Sequence, residues 1–180
     1  MSAEGRADRD FVRALGRASL RKRWSRLRKG TGPDRLLSFD EAKAPLSLWS
    51  QSYRGMRSVE VEKIVGSVGR YRDFDPSFLP RREDLAAKWK LIDAAYHRGE
   101  DLPPVHLRKI EDVYFVLDGN HRVSVARYHN VATIDAEVVE LRGQTRAPHG
   151  QEAEHGQGQA AYHPQRSHEH VSSQGRDRVR

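Results

Sequence analysis

Asp118-Gly119-Asn120-His121-Arg122 gathers a carboxylate, a glycine, an amide, an imidazole and a guanidinium into five consecutive positions. The apolar run Val113-Tyr-Phe-Val-Leu117 precedes it and reads as a buried strand. Val123, Ala126 and Arg127 continue beyond it as a helix to His129-Asn130, where Asn130 suits a left-handed cap. A strand that turns at once into a helix leaves the first-turn amides without acceptors, beside the positive end of the helix dipole. That is an anion cradle. Gly119 lets a phosphate approach the backbone, and His121 and Arg122 add donors, Arg122 to two oxygens at once. Asp118 is the candidate catalytic residue and metal ligand, placed to hold Mg2+ or to orient an attacking hydroxyl or water. Each residue also has a structural alternative. Asp118 fits a helix N-cap, His121 a packed imidazole bonded to a carbonyl, and Arg122 a partner for Asp118 or Asp135.

The elements that must position this corner are legible around it. Val59, Val61 and Ile64 fall near alternate positions and predict a strand, followed by the loop Gly66-Ser67-Val68-Gly69-Arg70. Leu85, Trp89, Ile92 and Tyr96 form one helical stripe, with Glu83 and Asp84 at its positive end and Gly99 at its stop. Pro103-Pro104 introduces a strand over Val105–Ile110, Glu111-Asp112 makes a turn, and Ile134, Ala136 and Val138 alternate as a last strand. Ser38-Phe-Asp-Glu41 fits a capping box, and Pro45 keeps any helix after it short. The fold class expected is α/β (α+β), a small mixed sheet with helices.

Residues 59–141 resemble the ParB/sulfiredoxin superfamily, in the branch of ParB N-terminal-like (ParB-like nuclease) domains. The resemblance rests on Asp118-Gly119-Asn120-His121-Arg122 with Ala126, on Val61-Glu-Lys-Ile-Val-Gly-Ser67 as first strand and loop, and on Leu102-Pro-Pro-Val105. It implies a nucleoside triphosphate or diphosphate (ATP, ADP or CTP) with Mg2+, its phosphates on Gly119, Asn120, His121 and Arg122. It also brings the Gly66–Arg70 loop near, so that Ser67 and Arg70, with Arg72, could meet the base, ribose or phosphates. The alternative there is a surface turn. Sulfiredoxin has a cysteine where this chain has Asn120, and the chain has no cysteine, so sulfiredoxin activity is excluded. Partition ParB proteins carry a helix-turn-helix domain after this fold, and none is recognised here. Free-serine kinases of the superfamily carry Asp-Gly-His-His-Arg, which this loop matches except at Asn120. Their catalytic glutamate lies upstream, where Glu60 and Glu62 are the nearest candidates.

Of the chain's 180 residues, 1–36 carry eleven basic and four acidic side chains, while the remainder is balanced at 21 of each. The whole net charge of +7 therefore lies in a basic helical arm, densest at Arg17, Arg21, Lys22, Arg23, Arg26, Arg28 and Lys29. Such a run attracts phosphate polymers, so non-specific DNA is an expected partner; a solvated arm is the alternative. Phe11, Leu15 and Ala18 share one face of this helix, but Leu20, Trp24 and Leu27 lie nearly opposite. That predicts a helix broken near Gly16–Ser19 and stopped by Gly30-Thr-Gly-Pro33. Residues 37–58 read as a connector. Residues 142–180, rich in His, Gln and Gly, read as a disordered tail, since they lack the apolar side chains to offset ordering entropy. Their five histidines, His149, His155, His163, His168 and His170, suggest loose metal affinity. No apolar run spans a membrane and no signal core opens the chain, so a cytoplasmic protein is expected. A second copy of the chain is a further candidate partner.

Three functions follow. The first is a nucleotide-binding regulatory protein that associates with DNA through its arm. The second is an enzyme, a small-molecule kinase or NTP hydrolase using Asp118. The third is a non-catalytic scaffold.

Overall fold

The computed structural model describes residues 2–27 and 34–145. The Gly30–Pro33 stop, Arg28, Lys29 and residues 146–180 of the tail lie outside the described residues, as does the side chain of Arg26. Residues 142–145, expected in the tail, instead complete the last strand, where they pair with Leu46–Ser50. Along the chain come α1 (Ala3–Leu27), β1 (Leu37–Ser38), α2 (Phe39–Lys43), β2 (Leu46–Glu60), β3 (Ile64–Ser67), α3 (Ala86–Arg98), β4 (Val105–Ile110), β5 (Val113–Asp118), α4 (Asn120–Tyr128) and β6 (Thr133–Thr145). The six strands form one mixed sheet in the order β1-β3-β5-β4-β6-β2. The α/β class with a mixed sheet is as expected. None of the described helices is long and apolar enough to cross a membrane.

Successive strand side chains point to opposite faces, and the apolar residues divide accordingly. Val105, Leu107, Val116, Ala136 and Val138 join Ile64, Phe74, Phe78, Leu85 and Val123 in the main core. Ile110, Phe115 and Leu141 pack with Phe39 of α2 in a smaller cluster. The stripe predicted on α3 is buried in its first half only: Leu85, just before the helix, and Trp89 are buried, Ile92 is half-buried and Tyr96 is exposed, and Gly99 ends the helix at φ 68°. Asn130 likewise takes positive φ after α4.

Four other expectations change. First, 37–58 is no connector, because β1 pairs parallel to β3, and β2 runs antiparallel to β6 along most of its length. An edge strand needs only backbone partners, so polar residues serve, and its outer side shows Trp49, Tyr53 and Met56. Arg54 and Lys109 clamp Glu140 from both sides across β2, β6 and β4, and hold its carboxyl down at about 2. Second, Val59, Val61 and Ile64 are not one strand. β2 ends at Glu60, a short 3-10 turn spans Val61–Lys63, and β3 begins at Ile64. All three are buried because the chain bends across the core, which imitates alternation.

Third, α1 is continuous and docked rather than broken. Ala3, Ala7, Phe11, Ala14 and Ala18 form its buried stripe, at i, i+4, i+8, i+11 and i+15. Phe11, Ala14 and Ala18 pack with Leu79, Trp89 and Val125, and Ala3 and Ala7 with Ala94. The apolar residues that suggested a slip, Leu20 and Trp24, are exposed. Fourth, the Ser38 hydroxyl makes no cap bond. Arg35 instead holds the Glu41 carboxylate at 2.7 and 3.2 Å.

Candidate functional site

β5 ends at Asp118 and α4 begins at Asn120, so Gly119 alone makes the corner. It sits at φ 100°, a left-handed conformation that disfavours side chains. A Cβ there would lie 2.6 Å from Val105 Cγ1, so the corner is pressed against β4. Gly119 is itself the N-cap and offers no side-chain acceptor, which leaves the amides of the first turn without intrahelical partners. Asp118 is therefore not the cap.

Arg122 faces inward. Its Nη1 donates to the carbonyls of Pro103 and Pro104 at 2.5 and 2.7 Å, and its Nη2 to Asp118 Oδ2 at 2.7 Å. The fork expected to grip a ligand thus ties the Pro-Pro segment to α4, and Arg122→Ala would loosen the corner rather than simply empty a site. Asp118, two-thirds exposed, has Arg122 as its ion-pair partner. Glu60 and Glu62 do not join it. They line a separate cleft of about 540 Å³ with Arg17, Arg21, Arg127 and Tyr128.

Ser67 is wholly buried and serves the fold. Its hydroxyl donates to the Val116 carbonyl at 3.3 Å and accepts from the Arg70 amide at 3.1 Å. That latch carries Arg70 to the corner. There its Nε bonds Asp73 at 2.7 Å and its Nη1 stands 3.4 Å from His121 Nε2. Arg72 lies over the Tyr71 ring, 5.5 Å from its centre.

His121 is buried, with its ring edge-on to Phe74. Burial first, then the charges of Arg70 and Lys88, push its pKa down to about 4, while Asp73 opposes them. The imidazole is neutral at pH 7, and the Arg70 contact to Nε2 assigns its proton to Nδ1. That Nδ1 and the buried Asn120 Oδ1 have no hydrogen-bond partner among the described residues. Because His121 protonates more readily unfolded, its contribution to stability is complete above about pH 6.5 and drains away as pH falls towards 4. A loss of roughly 2–3 kcal/mol across that window is expected. His121→Gln should flatten that part of the profile in denaturant melts, and an unchanged profile would exclude His121 as its source.

Around these groups lies a hollow of about 50 Å³, where Arg70 and Lys88 meet Gly119, Asn120 and His121. It has room for a few waters or one oxyanion, not for a ribose and base. Lys88 is the residue sequence reading missed. It lies on α3 one turn before Ile92, which also lines the hollow, and that spacing was the available signal.

No family model and no curated protein matches the chain. Among solved structures, the crystal structure of sulfiredoxin from Arabidopsis thaliana is similar in part, at 19% identity and a TM-score of 0.32. The match covers 46% of this chain and 82% of that one.

Of the expected arm residues, Arg17 lies over the Tyr128 ring at 5.2 Å, and Arg21 bonds Ser77 and stands 3.6 Å from Asp75. Lys22 and Arg23 are exposed.

Proposed function

We propose that the protein binds a phosphate group at the start of α4, as the terminal phosphate of a nucleotide. The observation that carries this is the small hollow in which Arg70 and Lys88 meet the start of α4 at Gly119, Asn120 and His121. Free first-turn amides beside two cations favour an anion. The hollow takes one phosphate, so the sugar and base lie outside it, across the mouth. The family resemblance adds ATP, ADP or CTP as candidates, with Mg2+ on Asp118. Lys22 and Arg23 leave the outer end of α1 free for DNA phosphates, which supports a nucleotide-binding regulator that associates with DNA.

Calorimetry with ATP, ADP, CTP and GTP in Mg2+, beside inorganic phosphate, tests the site. Arg70→Ala and Lys88→Ala are expected to weaken binding about 10–100-fold each, the range for hydrogen bonds to charged groups. Unchanged affinity in both would remove the site. Product analysis separates binding from turnover, since consumption of the nucleotide that stops in Asp118→Asn would favour the phosphotransferase reading. Titration of duplex DNA at two salt concentrations should show weaker binding and a shallower salt slope in a Lys22→Glu, Arg23→Glu double variant.

A further inference from the structure

Away from the α4 start, four potential metal ligands converge where three helices meet. Asp10 comes from α1, Asp93 and His97 from one face of α3 at i and i+4, and His129 from the end of α4. One ligand atom from each lies within 4.8 Å of all the others. His97 Nε2 is 2.8 Å from Asp10 Oδ2 and 3.3 Å from Asp93 Oδ2, and His129 Nε2 is 2.6 Å from Asp93 Oδ1.

Hydrogen bonds alone leave this cluster incomplete. Asp93 is wholly buried, and a carboxylate there needs a balancing charge. Each Nε2 has at most one proton to give. That of His97 goes to Asp10, and Asp93 Oδ2 is left with no hydrogen-bond partner among the described residues. The nearby cations do not reach it. Arg13 stands 3.9 Å from Asp10 and is mostly exposed, and Arg6 is engaged by the His97 carbonyl. A cation at the centre needs no proton from either ring and meets all four groups at once.

The surroundings suit a ligand set. Tyr128 donates to Asp10 Oδ1 at 2.9 Å, which turns Oδ2 inward, and Tyr96 stacks on His129 at 4.2 Å. Such outer contacts orient metal ligands. Two imidazoles and two carboxylates match a closed, four-coordinate divalent site. Bonds of roughly 2.0–2.2 Å put tetrahedral donors about 3.3–3.6 Å apart. The His97–Asp93 spacing of 3.3 Å already fits, and the 2.6 and 2.8 Å contacts must open by roughly 0.5–1 Å to admit an ion. We propose that Asp10, Asp93, His97 and His129 hold one divalent transition metal ion, Zn2+ by preference. Asp10 is the only ligand on α1, so the ion pins that helix to the α/β body.

The tail histidines would also take up metal. The test therefore uses the full-length chain with H149Q, H155Q, H163Q, H168Q and H170Q, stripped with chelator and titrated with Co2+ and then Zn2+. One Co2+ per chain is expected, with the strong visible absorption of tetrahedral cobalt, displaced by Zn2+. Zn2+ at about a hundredfold excess over its Kd should raise Tm by about 5–10 °C. His97→Gln and His129→Gln should each remove the cobalt band and weaken Zn2+ at least ~100-fold. If neither variant folds by circular dichroism, Asp10→Asn decides, because it sits at the rim. It should keep the fold while shifting the band and lowering affinity about 10-fold. No band and no Tm shift with the four ligands intact would overturn the proposal, as would a band unchanged in the substituted chains. The cluster would then be an ion-pair network only.

Discussion

Trp89→Ala is expected to destabilise the protein by about 3–5 kcal/mol, the range for deleting a buried indole. Trp89 is wholly buried where α1, α3 and α4 meet. Its ring centre lies 5.6 Å from those of both Phe11 and Tyr128, and its Nε1 donates to Ser124 Oγ at 2.9 Å. Alanine there leaves a cavity on three sides and a buried hydroxyl without its donor. A fall in Tm of about 10–15 °C is the corresponding thermal result. Trp89→Phe retains most of the ring contact and loses the hydrogen bond, so it should cost only about 1–2 kcal/mol. A loss below about 1 kcal/mol for the alanine variant would mean that the junction is not packed as described.

The second large effect is expected at the corner. Gly119→Ala forces a methyl group into a left-handed backbone, at about 1–2 kcal/mol. It also drives that methyl into Val105, whose Cγ1 would be 2.6 Å away, adding roughly 1–3 kcal/mol. Whatever gives way must move β4 or turn the start of α4, so the first-turn amides lose their common aim. Phosphate and nucleotide affinity should fall with stability in denaturant and calorimetric titrations. Gly69→Ala is the matched control, since its added methyl meets nothing within 4 Å and its φ is ordinary. Equal behaviour of the two variants would show that the corner imposes no special requirement.

Much of this corner was legible. The strand, the single glycine and the helix follow the order of Val113 to Arg127, and the glycine at Gly119 was read as the point of close approach. The direction of Arg122 was not. Its partners are the carbonyls of Pro103 and Pro104, and a residue's type says nothing of which distant backbone oxygens will stand in front of it. The Asp118 pairing was among the structural alternatives and is present. Ser67 has the chemistry of a ligand-binding hydroxyl, yet burial beside Val116 commits it to the backbone. Lys88 carries no local mark beyond its place one turn before Ile92.

The larger gaps concern α1 and β2, for opposite reasons. The buried stripe of α1 is mostly alanine, which packs closely but carries little hydrophobic signal, while its exposed side holds Leu20 and Trp24. Pattern reading weighs the larger residues, so it finds Phe11 on one side and Leu20 and Trp24 on another, and predicts a break where the alanine stripe runs on. β2 is held by backbone pairing to β6; its burial alternates from Leu46 to Tyr53, but Ser50 and Ser52 take inward positions and Trp49 and Tyr53 outward ones, so residue type hides the strand. The junction of Asp10, Asp93, His97 and His129 shows only the i, i+4 pair on α3 as a local sign, because the other two come from separate helices.

The docking of α1 has a consequence for the order of events during synthesis. Asp10 and His97 touch across 87 positions of chain, so α1 has no surface to settle on until α3 has been made. A 25-residue segment of low mean apolarity, with its small stripe bare, must wait as a fraying single helix. Ribosomes stalled before residue 86 should therefore display a protease-sensitive amino-terminal region, protected only after both partner helices have emerged.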